Sequence, residues 1–239
     1  SIDFPKPNPS LSVLIRTSFR NGETHSKLLS PGETEWLIPE TENISSIFRE
    51  YTDLGIRHIL SGYDHLLFVL CLFFVVTLRE QKKWRGLFFT VTGFTFSHSL
   101  TLAFSVLDLI TLPILLIEAL IALSITFLAL ELVRSDKKSL TFTYPSAVAI
   151  AFGLLHGFGF ASVLKSIGLP QTDLLFGLLF FNLGVEIGQL LFLVFISLMS
   201  LTLARMSMSC EKQSILIAYI AGPSSAYWVI DRMTSFSSV

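Results

Sequence analysis

The chain has 239 residues, of which 51% are hydrophobic, 22 are phenylalanine and only 15% are charged, far below the roughly 25% charge of soluble domains. With a mean hydropathy of +0.66, this composition is that of an integral membrane protein. A formal net charge of −1 excludes the concentrated basic surface needed to hold nucleic-acid phosphates, and two separated cysteines, Cys71 and Cys210, build neither a disulfide framework nor a thiolate metal motif.

The sequence begins at Ser1 with no charged-then-apolar leader, as expected of a chain whose signal peptide has been removed or which has been shortened. Residues 1–43 are polar and turn-rich, with Pro5, Pro7, Pro9, Pro31, Gly32 and Pro39. They read as a short extracytoplasmic segment containing a few β-strands, with Ser30-Pro31-Gly32 as a hairpin turn. Some forty residues bury too little surface to stand alone. Across residues 44–55, Ile44, Ile47, Phe48, Tyr51 and Leu54 recur at helical spacing among polar neighbours, which predicts an amphipathic helix lying in the membrane interface or packed on the N-terminal segment.

Residues 56–232 form the expected transmembrane domain, and 233–239 a short tail. Apolar stretches at 56–78, 86–106, 111–133, 144–165, 173–203 and 214–231 each approach or exceed the ~20 residues that cross hydrocarbon, so the fold expected is an all-α bundle of six transmembrane helices. Arg79, Lys82, Lys83 and Arg85 follow the first span, Arg134, Lys137 and Lys138 the third, and Arg205 and Lys212 the fifth. The positive-inside rule makes these loops cytoplasmic and puts both termini outside a cell (inner) membrane.

That orientation assigns a depth to each polar residue within a span. Asp64 and His65 in the first span, His98 in the second, Glu118 in the third, His156 in the fourth and Asn182 in the fifth all fall about 10–14 Å below the outer surface at 1.5 Å per helical residue. Glu186 and Gln189 lie one and two turns deeper on the Asn182 face. Polar groups inside a membrane are costly and mark substrate or ion paths. Imidazole and carboxylate suit nickel, zinc, cobalt, copper(II) or iron, so His65, His98 and His156 with Asp64 read as metal ligands, and Glu118 as a ligand or as a partner orienting an imidazole. Ser97, Asn182 and Gln189 read equally as path residues or as hydrogen-bond glue between helices. His58, seven residues before His65, would stand about 10 Å nearer the surface on a straight helix, as an outer station or an interfacial residue. His25 reads as a surface residue.

These blocks resemble a known family. His58-x5-Asp64-His65 is similar to the His-x5-Asp-His signature of the HupE/UreJ membrane proteins. The stretches around Ser97-His98-Ser99, Glu118-Ala119-Leu120, His156-Gly157-Phe158-Gly159, Asn182-Leu183-Gly184-Val185-Glu186 and Tyr227-Trp228-Val229-Ile230-Asp231-Arg232 look like that family's second branch. The resemblance implies transport of nickel, or of cobalt or zinc, in support of metalloenzyme maturation, with His58, Asp64, His65 and His156 as metal residues. His156 is not followed by the second histidine that the nickel-permease motif carries. Two other functions suit the residues themselves: an intramembrane zinc hydrolase with Ser97 or Ser99 beside the metal, and a non-catalytic scaffold or metal sensor. The partners expected are the lipid bilayer and the metal ion, with a homo-oligomer or a maturation protein left open.

Overall fold

The computed structural model describes residues 13–18, 24–29, 44–79, 83–167 and 174–237. A two-stranded antiparallel sheet, β1 (Val13–Ser18) and β2 (Thr24–Leu29), pairs Val13 with Leu29 and Thr17 with His25. The turn expected at Ser30-Pro31-Gly32 lies outside the described residues. Eight helices follow among the described residues: α1 (Ile44–Ser61), α2 (Tyr63–Arg79), α3 (Lys83–Val106), α4 (Ile114–Arg134), the one-turn α5 (Leu140–Thr143), α6 (Pro145–Ile167), α7 (Leu174–Arg205) and α8 (Cys210–Ser237).

Helix α2 is the axis of the bundle. Every residue from Cys71 to Val76 is buried, on all sides of the helix, as expected of a helix apolar all round. Three helix pairs surround it: α1 with α7, α3 with α6, and α4 with α8. Small residues at four-residue spacing set two of these pairs. Gly153 and Gly157 of α6 lie against Phe94, Ser97, His98 and Thr101 of α3, while Gly184 and Gly188 of α7 lie against Thr52 and Ile56 of α1. This is the Gly-x3-Gly approach by which membrane helices pack when lipid supplies no hydrophobic drive between them. The contacts advance together along both chains, so α3 and α6 run parallel, as do α1 and α7. Helices α4 and α8 run antiparallel, with Thr126 beside Ser225 and Glu118 beside Arg232.

Among the described residues, three helices are long and apolar enough to cross a membrane: Trp84–Val106, Ile114–Arg134 and Leu175–Arg205. A fourth crossing is formed if Ile44–Ser61 and Tyr63–Arg79, bent by 73° at their junction, count as one span. The stretch 44–55 and the start of the first expected span are therefore one continuous helix, lying along α7. Helix α6 supplies a shorter apolar segment, Pro145–Phe160. Helix α8 carries three buried polar residues, Gln213, Ser214 and Ser225. Gln213 bonds Ser200 of α7, and Ser225 meets Thr126 of α4.

Candidate metal centre

The centre is built where α1 gives way to α2. Gly62 sits between them, donating its N–H to the His58 carbonyl at 3.1 Å and accepting from Leu66 N at 3.0 Å. The backbone N–H of His65 turns instead to the Asp64 side chain, at 2.8 Å to Oδ1. That same oxygen lies 2.9 Å from His65 Nδ1. A Cβ on residue 62 would fall 2.9 Å from His65 Nδ1, 3.0 Å from the His58 carbonyl and 3.1 Å from Asp64 Oδ1, so only glycine leaves room for this clasp. The bend overturns the straight-helix expectation for His58. Its ring comes to 4.7 Å, centroid to centroid, from that of His65.

Helix α3 brings His98 to the same point. One ligand atom each from His58, His65 and His98 lies within 4.8 Å of the others. Helix α6 adds His156, whose ring stands 5.2 Å from that of His65, although His156 is not among the three whose ligand atoms converge. His98 and His156 are fully buried and His65 nearly so. Phenylalanines wall the group: the tilted ring of Phe160 lies 3.8 Å from that of His58, Phe94 stacks 6.0 Å from His98, and Phe68 lies 4.8 Å from His156.

The hydrogen bonds select the tautomers. His156 Nδ1 lies 2.8 Å from the Phe152 carbonyl and must donate to it. His65 Nδ1 donates to Asp64. Both rings then present a bare Nε2, the form in which imidazole ligates metal, with the carboxylate or carbonyl orienting the ring. Among the described residues, His58 Nε2, His65 Nε2, His156 Nε2 and both ring nitrogens of His98 are buried without a hydrogen bond of ordinary geometry; the Asn182 amide does lie beside His98. At a metal–nitrogen distance of about 2.0–2.1 Å, two nitrogens on one ion stand about 3.3 Å apart in a tetrahedron and at most about 4.2 Å apart. The cluster, with its ligand atoms within 4.8 Å of one another, is slightly more open than a loaded site. The donor set and its bare nitrogens fit a divalent transition metal.

The other residues singled out from the sequence divide into three groups. Asn182 sits beside His98 at the edge of the cluster, and Glu186 and Gln189 continue down α7 away from it. Asn182 Nδ2 donates to the Leu178 carbonyl at 2.7 Å, Thr92 donates to Glu186 at 2.7 Å, and Thr95 donates to the fully buried Gln189 at 2.8 Å. Ser97 and Ser99 donate to carbonyls of their own helix, those of Phe94 and Thr95. Glu118 is not brought to the imidazoles. It pairs with Arg232 Nε of α8 at 2.7 Å and lines a separate cleft with Asp64. Thr92 and Thr95 were not singled out from the sequence, although they sit one helical turn apart on α3, a readable sign of a polar seam; Arg232 was noted only as the end of a family-like block, and nothing local marked it as the partner of Glu118.

A family model described as HupE / UreJ protein matches residues 33–232, most of the chain. No curated protein and no solved structure matches it.

Proposed function

We propose, from the premise that this chain belongs to the HupE/UreJ family, that it moves a divalent transition metal ion across a membrane, with nickel as the first choice and cobalt or zinc as alternatives. The observation that carries this reading is the convergence of His58, His65 and His98 at the broken helix, their ligand atoms within 4.8 Å of one another inside a phenylalanine wall. The cargo ion binds the bare imidazole nitrogens, with Asp64 fixing His65 and with His156 as a fourth donor. It leaves along α7, past Asn182, Glu186 with Thr92, and Gln189 with Thr95.

Such a route gives binding strong enough to strip water yet divided over several stations, so that the ion can leave. In this reading the six apolar stretches all cross a cell (inner) membrane, both termini are outside, and the cluster opens to the outer face. In the zinc-hydrolase alternative the nucleophile would be a metal-bound water, to which Ser97 and Ser99, committed to backbone carbonyls, add nothing; no specific observation favours it, so we do not carry it further.

The test is ⁶³Ni uptake into proteoliposomes holding the full chain. The expected result is accumulation above empty liposomes that His98→Ala abolishes. Flat uptake of nickel, cobalt and zinc alike overturns the proposal.

A further inference from the structure

Helix α7 adds no residue to the converging ligands, yet two consecutive residues of it touch two of the three. The ring of Phe181 stands 5.5 Å from that of His58, and the Asn182 amide lies beside His98. Half of that amide is already committed. Its Nδ2 donates to the Leu178 carbonyl, one turn earlier on α7, at 2.7 Å. Only the nitrogen end of an amide can donate to a carbonyl, so this bond fixes the orientation of the group and leaves Oδ1 over. That oxygen is buried without a hydrogen bond of ordinary geometry, and so are both ring nitrogens of the fully buried His98.

A neutral imidazole carries one bare nitrogen and one N–H. When the bare nitrogen takes an ion, the N–H on the other side needs an acceptor that orients the ring. His65 gives its N–H to Asp64, and His156 gives its own to the Phe152 carbonyl four residues earlier. The same backward route is closed to His98. The carbonyl four residues before it, that of Phe94, accepts the Ser97 hydroxyl at 3.0 Å, and the next one, that of Thr95, accepts the Ser99 hydroxyl at 2.6 Å. Each of these carbonyls also serves its own helix ladder, so both lone pairs are used. His98 must look across to another helix.

We propose that Asn182 is the positioning residue of His98: its Oδ1 accepts the N–H that His98 keeps while the other ring nitrogen binds the ion. The inference deepens the metal-cluster reading and rests on it. Each of the three inner imidazoles then has its own oxygen partner, from a side chain of α2, a carbonyl of α6 and a side chain of α7. The amide orients its ring without adding a charge, so Asp64 remains the carboxylate of the cluster. A site that must also release its ion benefits from that restraint.

The experiment is equilibrium dialysis of the detergent-purified full chain against ⁶³Ni²⁺, with each variant checked by size-exclusion chromatography. Wild type is expected to show a tight class of sites that His98→Ala severely weakens. Asn182→Leu, which keeps the size and removes both ends of the amide, should weaken the tight class about 10–100-fold. Asn182→Asp loses the donor to Leu178 but keeps the acceptor, whose bond becomes charge-assisted, and should bind at least as tightly as wild type. In the His98→Ala background Asn182→Leu should change nothing further, because the two act as one unit. Nitrogen NMR of the metal-free chain, labelled in its imidazole nitrogens, supplies a readout that packing alone does not move. The His98 signals, identified by their loss in His98→Ala, should show one tautomer in wild type and a mixture in Asn182→Leu.

Wild-type affinity in Asn182→Leu, or an unchanged His98 tautomer, overturns the proposal and leaves Asn182 as a bond within α7. Equal losses in Asn182→Leu and Asn182→Asp overturn it too, since the donor to Leu178 would then be the part that matters. A further loss on top of His98→Ala would mean that Asn182 acts on the ion and not through His98. Nickel binding untouched by His98→Ala would sink the cluster and this pairing together. Flat uptake beside the expected binding losses would sink transport and leave the pairing standing.

Discussion

Replacing Gly62 with alanine tests the link between the helix break and the cluster. The added methyl group would sit 2.9 Å from His65 Nδ1 and 3.1 Å from Asp64 Oδ1, about half an ångström inside ordinary contact. Alanine also favours continuous helix over glycine by about 1 kcal/mol, so both effects push towards straightening the chain and parting Asp64 from His65. The bond at risk involves a carboxylate, and such bonds contribute about 1.5–3 kcal/mol. Partners that orient a metal-bound histidine are typically worth 10–100-fold in metal affinity. The expected result in ⁶³Ni equilibrium dialysis is therefore a 10–100-fold weaker tight class in Gly62→Ala, with the elution profile unchanged. Gly188→Ala is the control, because its Cβ would meet Ile56 at an unstrained 3.4 Å, and it should bind as wild type does. Unchanged nickel affinity in Gly62→Ala would refute the claim that the break shapes the site.

His98→Ala should cost the tight class at least about tenfold more affinity than His156→Ala, because a direct ligand outweighs an orienting or fourth donor; equal losses in the same dialysis assay would make His156 a full member of the set. Gly157→Ala and Gly184→Ala drive a methyl into the backbone of the facing helix, at His98 and Thr52 respectively. Each should cost about 1–3 kcal/mol, seen as a clear drop in the melting temperature of the detergent-purified protein, whereas Gly222→Ala, with Ala129 at 3.5 Å, should melt like wild type. Thr95→Val removes the donor to Gln189 and should slow uptake severalfold while leaving tight nickel binding in place. If binding falls equally, Thr95 supports the cluster and not a path.

Which polar residues on different helices approach one another was partly legible in the sequence, and direction around each helix was not. His65, His98, His156 and Asn182 were expected at one level from their distance to span ends, and they do lie together. Glu118 shares that level but points towards α8, where Arg232 at the far end of the chain supplies its partner. Only tertiary packing decides that. His58 failed for a different reason, since the 3.6-residue period assumes an unbroken helix. Gly62 and the acceptor Asp64 two residues later were the visible signs of a break, but the 73° bend depends on α1 docking along α7 through Gly55 and Gly184. The strands β1 and β2 were expected only as a loose group, because the signal for short strands in a polar segment is weak.

The bare imidazole nitrogens carry one more consequence. Five ring nitrogens from His58, His65, His98 and His156 are buried without a hydrogen bond of ordinary geometry among the described residues, with the Asn182 amide beside His98 and phenylalanines around the group. Each such group costs about 1–3 kcal/mol, which is tolerable in a membrane bundle only if something repays it. A cargo ion does so directly, because it binds the folded cluster and not the unfolded chain. At a free concentration one hundred times its dissociation constant, the ion should stabilise the fold by about 2.7 kcal/mol. Nickel, cobalt or zinc should therefore raise the melting temperature of the wild-type protein, while magnesium, which prefers oxygen ligands, should not. The rise should vanish in His65→Ala and persist in Glu118→Gln, since Glu118 pairs with Arg232 and is not among the converging ligands. A shift of equal size with magnesium, or one that survives His65→Ala, would mean that the nitrogens are satisfied by the bundle itself and that the cluster is packing, not a site.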